Sequence, residues 1–192
     1  MICGLNNTIR RKKVKRIAKL TILATLAMAS ASLWAETRKP LDLVPALDLD
    51  RYLGRWYEVA RYQHTFEKSL VGATAEYSLR KDGKVDVLNS GFKNTLDGKY
   101  TDVKAVAWRP DDAVPGALKV KFFGLFTSDY LVFGLDDVDY QWALVGNNNR
   151  KFLWFLSRKP EVAPELLEKM KGIAEAQGYD LSKLFVVPQK AR

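Results

Sequence analysis

The chain has one cysteine, Cys3, and one histidine, His64, among 192 residues. From residue 4 onward it can form no internal disulfide, thiolate nucleophile or cysteine-ligated metal site. A lone histidine excludes a histidine metal cluster, and any Ser-His-Asp triad would have to run through His64. No G-x-S-x-G turn precedes a helix, no phosphate-binding loop is present and no G-x-G-x-x-G follows a strand. The pairs Asp111-Asp112 and Asp136-Asp137 fall in turn-forming stretches, where aspartate bonds nearby backbone. No catalytic residue, cofactor or metal is therefore expected. A long apolar run is also missing: the uncharged stretch 20–35 is too short and too rich in small residues for a comfortable transmembrane helix.

Acids are scarce at the start of the chain. The formal charge is +9, from 31 Lys+Arg against 22 Asp+Glu, which at first suggests a nucleic acid or an anionic membrane as partner. Seven of the cations, Arg10, Arg11, Lys12, Lys13, Lys15, Arg16 and Lys19, precede the first acid, Glu36, and the remainder carries about +2. Lys119 and Lys121 are the nearest approach to a basic patch there, and no nucleic-acid partner is expected. The basic stretch, the apolar run behind it and the small residues Ala27, Ala29, Ala31 and Ala35 read as a secretory signal peptide over 1–35, cut after Ala31 or Ala35. An arm, 36–47, and a single domain, 48–192, would follow. With Cys3 removed, no thiol remains for a lipid anchor. The expectation is an exported, soluble protein.

From about residue 48 the chain alternates short apolar runs with turn signals. Strands are expected over 56–62, 73–80, 85–92, 100–108, 117–123, 129–135, 140–145 and 152–157. Between them lie Lys81-Asp82-Gly83-Lys84, Leu96-Asp97-Gly98, Pro110 to Gly116 and Gly146-Asn147-Asn148-Asn149. Leu118, Val120 and Phe122 alternate with Lys119 and Lys121, so one face is apolar and the other wet. Leu131 to Phe133 and Phe152 to Leu156 are apolar on both faces and need an outer cover. A helix over 164–177 supplies it: Pro164 near its start, Gly178 beyond its end, and a stripe of Leu166, Met170 and Ile173. A short extended piece, 184–187, follows. The fold class is all-β: an eight-stranded antiparallel up-and-down barrel with a C-terminal α-helix packed on its outside. An interior of that size is either filled by side chains or holds one small ligand. Aromatics make up 11% of the chain, more than core filling usually asks for, which hints at an apolar cavity or interface.

Three stretches together carry a resemblance. Gly54-Arg55-Trp56 resembles the G-x-W motif of the lipocalins, and Ser128-Asp129-Tyr130 their T-D-Y region. Arg158 resembles the arginine that packs across the G-x-W tryptophan at the closed end of the barrel. The wider text is similar to the bacterial lipocalins and apolipoprotein D, from about Leu47 to Val187. The resemblance implies structural roles for Gly54, Trp56, Asp129, Tyr130 and Arg158. It also implies periplasmic binding and transport or storage of small hydrophobic ligands, fatty acids or lysophospholipids, in envelope lipid maintenance. Tyr77, Asn89 and Trp154 match ligand-facing positions of the family; strand parity adds Trp108, Phe122 and Tyr130. The bacterial relatives are typically lipid-anchored at a cysteine, which residues 29–36 lack. The expected partners are a small hydrophobic ligand and, peripherally, a membrane, with the protein a monomer or homodimer.

Two rival functions differ in kind. A lipocalin-like enzyme acting on a lipid or isoprenoid would need an acid or base in the cavity; Glu58 shares the parity of Trp56 and would have a raised pKa if buried. Haem carriage would depend on His64 as the sole axial imidazole.

Overall fold

The computed structural model describes residues 39–190 apart from Phe66. The signal-peptide reading, with Cys3 and both cleavage positions, lies outside the described residues. Asp48 opens the domain: its carboxylate accepts from the backbone N–H groups of Asp50 and Arg51 and caps a single helical turn, α1 (Leu49–Tyr52). Eight strands follow: β1 (Gly54–Tyr62), β2 (Leu70–Leu79), β3 (Val85–Lys93), β4 (Tyr100–Trp108), β5 (Ala117–Phe122), β6 (Phe126–Leu135), β7 (Trp142–Gly146) and β8 (Leu153–Ser157). Each pairs antiparallel with the next, and β8 returns to pair with β1, closing the barrel. Its elements match the expected strands to within a few residues at their ends.

Successive strands run in opposite directions, so the connections alternate between two ends. The β2–β3, β4–β5 and β6–β7 links share one end with α1, here the lower end. The β1–β2, β3–β4, β5–β6 and β7–β8 links form the upper end.

The strand pleat sorts side chains into two cores. Trp56, Ala75, Tyr77, Val87, Ala107 and Val120 face the barrel interior. Leu153 and Phe155 face outward, beneath the helix α2 (Pro164–Ala176), where they meet Met170 and Ala174. Their neighbours Trp154 and Leu156 belong to the inner core, which explains why β8 is apolar on both faces. α2 begins at a proline and is followed by Gly178 at φ +82°, a left-handed conformation that favours glycine.

The seam between β1 and β2 closes in two ways. From Gly54 to Tyr57, β1 pairs directly with β2. Higher up, beyond a bulge at Glu58/Ala60, its place beside Ala60–Tyr62 is taken by β9 (Leu184–Val186). The tail continues the bridging: Val187 N–H donates to Val59 O, Pro188 O accepts from Gly72 N–H, and Gln189 Nε2 donates to Glu58 O and Ala73 O.

Candidate functional site: a cavity inside the barrel

The lower end is sealed by the stacked side chains of Trp56 and Arg158. Trp56 is fully buried, and its Nε1 donates to Tyr52 O at 2.8 Å. Arg158 lies over the Trp56 ring, 3.8 Å from its centroid. The same guanidinium donates to Arg51 O at 2.8 Å, Arg55 O at 2.9 Å and Tyr140 O at 3.2 Å. It thus ties α1, β1 and the β6–β7 link together while facing an aromatic ring. Gly54 has φ +88°, a left-handed conformation that favours glycine, and a Cβ there would meet Arg158 Nη1 only at an ordinary 3.5 Å, so the motif glycine serves the turn.

Above this seal is a cavity of about 370 Å³, within the range of small-ligand sites. Its floor is a chain of phenols: Tyr52 to Tyr130 at 2.8 Å and Tyr77 to Tyr130 at 2.9 Å. Burial raises the pKa of the Tyr77 and Tyr130 hydroxyls well above its ordinary value, keeping them protonated. The walls are apolar and largely of small or branched residues, Ala73, Ala75, Val87, Ala107 and Val120 among them.

Five of the six residues expected to face a ligand line this cavity: Tyr77, Asn89, Phe122, Tyr130 and Trp154. Trp108 does not. Ala105 and Ala107 take the buried face of β4, which leaves Trp108 half-buried on the opposite parity, paired with Lys119. Reading Trp108 as inward-facing is off by one residue, and Ala107 stands in its place. Asp129 forms an ion pair with Lys119 at 2.5 Å across β5–β6.

Glu58 does face inward, but it belongs to a cluster whose other members come from residues less conspicuous in the sequence. Arg61, fully buried, reaches Glu58 Oε2 at 3.4 Å and Glu67 Oε2 at 3.7 Å. It also donates to Glu67 O and Leu70 O, both at 2.7 Å, holding the β1–β2 link over the upper wall. Trp154 Nε1 donates to Glu67 Oε2 at 3.3 Å. Burial, reinforced by the charge of Glu67 and opposed by Arg61, pushes the Glu58 carboxyl up to about 8; burial also raises Glu67. His64 packs against Phe152 and Trp154, with ring centroids 4.6 and 5.2 Å apart, and burial followed by the Arg61 charge lowers it to about 4. It is a neutral packing residue.

A cupped eight-stranded barrel, sealed below by a tryptophan–arginine stack and carrying one helix outside, is the lipocalin architecture. The chain belongs to the lipocalin family: the lipocalin-like domain matches residues 47–189. It is 40% identical over 155 residues to the outer membrane lipoprotein Blc of Vibrio cholerae, covering 81% of this chain and 88% of that protein. It is 33% identical over 150 residues to mouse apolipoprotein D, covering 74% and 77%. Among solved structures, insecticyanin from the tobacco hornworm Manduca sexta superposes with a TM-score of 0.64 at 20% identity, over 79% of this chain and 86% of that one.

Proposed function

We propose that the protein is a carrier of single-chain lipids, fatty acids or lysophospholipids, that it works in the periplasm in envelope lipid maintenance, and that it has no catalytic step. The observation that carries this reading is the apolar cavity of about 370 Å³, walled by small residues and floored by Tyr52, Tyr77 and Tyr130. Small wall residues leave room for an acyl chain, while Asn89 and the tyrosine hydroxyls offer polar contacts. Residues 1–35 act as a cleaved export signal in this reading. The absence of any cysteine after Cys3 favours a soluble form over a lipid-anchored one, in contrast to the related Blc, which is an outer membrane lipoprotein.

Titration of the exported protein with a fluorescent fatty-acid probe, followed by displacement with lysophospholipid, tests the reading. Saturable one-to-one binding with micromolar affinity or better is expected. No saturable binding of any acyl ligand would overturn it.

A further inference from the structure

The upper end of the barrel carries two features that the cavity alone does not require. The first is the tip of the β5–β6 hairpin. Phe123, Leu125 and Phe126 are 68%, 78% and 70% exposed, three large apolar side chains within four residues. Phe123 adopts φ +51° beside Gly124 at +69°, a tight left-handed turn that projects the tip outward. Tyr100, at the start of β4 on the same end, is also exposed. Clustered exposed rings of this kind mark a contact surface.

The second is the distribution of charge. Lys68, Lys93, Lys99, Lys121 and Lys151 are all exposed on or beside the upper connections. Of the upper acids, Glu67 is held by Arg61, Asp97 is paired with Lys190 and Asp129 with Lys119, leaving Asp102 against these five lysines. The lower connections instead carry six acids, Asp82, Asp111, Asp112, Asp136, Asp137 and Asp139, against the four cations Arg80, Lys81, Lys84 and Arg109. The near-neutral domain is thus polarised along its axis, positive around the apolar tip.

We propose that the upper end docks on an anionic lipid bilayer, with Phe123, Leu125 and Phe126 seated among the headgroups and the lysines around them on lipid phosphates. An anionic surface complements both features at once: rings and aliphatic chains settle in the interface and lysines add electrostatic attraction. A second copy of the chain is a poorer occupant. Tip-to-tip association about a two-fold axis would set each lysine ring against its own image. Phe122, Phe123 and Phe126 also line the cavity, so the docked hairpin is at once anchor and doorway. A lipid can then pass from bilayer to barrel without crossing water. This inference rests on the lipid-carrier reading and adds the partner and the face that meets it.

Vesicle flotation of the full exported chain tests it, using phosphatidylcholine vesicles with and without phosphatidylglycerol. Probe binding in vesicle-free buffer is measured on the same samples. Flotation that depends on phosphatidylglycerol is expected. Leu125→Asp, or Lys99→Glu with Lys121→Glu, should weaken it about tenfold, while probe binding in solution stays at the wild-type level. Lys81→Glu, at the lower end, should float as wild type does. Absence of flotation on phosphatidylglycerol, flotation indifferent to the tip and lysine substitutions, or a lipid-independent dimer that Leu125→Asp dissociates would each overturn the docking. Loss of probe binding by the wild-type chain would instead count against the carrier reading.

Discussion

The guanidinium of Arg158 sits 3.8 Å from the centroid of the Trp56 ring, although 102 positions separate them in sequence. The pair joins the first strand to the link after the last and seals the lower end. Truncation should therefore be felt globally. Trp56→Ala is expected to cost about 3–5 kcal/mol, as large buried aromatic truncations do. Arg158→Ala should cost about 1–3 kcal/mol, by removing three hydrogen bonds to Arg51 O, Arg55 O and Tyr140 O and uncovering the fully buried Trp56 ring. Chemical denaturation of both variants checks this; melting like the wild type's would show that the stack is dispensable.

Stability should fall as pH rises from 6.5 to 8. Glu58 has a folded-state pKa near 8 against an ordinary 4.5, so the folded protein holds a proton that the unfolded chain releases. That contribution is complete below pH 4.5 and is lost as pH climbs through 8. His64 acts oppositely: lowered from 6.5 to about 4, it makes stability rise between those values. The two slopes oppose each other below pH 6.5, and above it the opposition from His64 is gone, while the raised Glu67 carboxyl acts in the same direction as Glu58. Glu58→Gln is expected to flatten the decline in Tm from pH 6.5 to 8, and parallel declines in the two proteins would refute the assignment.

The same proton should tune ligand choice. The charged side chains that line the cavity, Glu58, Glu67, Asp102 and Asp129, are all carboxylates. As Glu58 ionises, a fatty-acid carboxylate meets growing like-charge repulsion, whereas a long-chain alcohol does not. The ratio of Kd for the acid to Kd for the alcohol should rise several-fold between pH 6.5 and 8, and less so in Glu58→Gln. A constant ratio would place the fatty-acid head away from Glu58.

Strand parity in β4 gives a paired test. Trp108→Ala should leave probe affinity unchanged, because the side chain lies outside the cavity wall. Ala107→Trp should abolish binding by occupying the space that Ala107 leaves open. The reverse result would show that β4 is offset by one residue.

Most of the architecture was legible because its signals are local. Turn residues marked the hairpins, and the two-sided apolar stretch in β8 announced a covering helix. The error at Trp108 has a physical source. A wall that encloses space is built from small residues, and β4 offers small apolar side chains on both faces: Ala105 and Ala107 on one, Val106 on the other. A large ring is then a misleading guide to which face is inside. Arg61 and Glu67 are illegible in the sequence for a different reason: no local pattern distinguishes charges beside a turn, and only the folding back of that link over the barrel buries them together. The register Ala60↔Val186 is equally non-local, and nothing in a three-residue strand announces its partner.

That last pairing gives the final residues a task of their own. Strands β1 through β8 supply every pairing that curls the sheet, and residues 184–189 only bridge the upper half of the β1–β2 seam. There they partner the backbone of Val59, Gly72 and Ala73 beside Glu58. A chain cut before residue 184 would keep the lower closure and leave a slit above it. Completeness of the C-terminus decides whether the vessel holds or leaks.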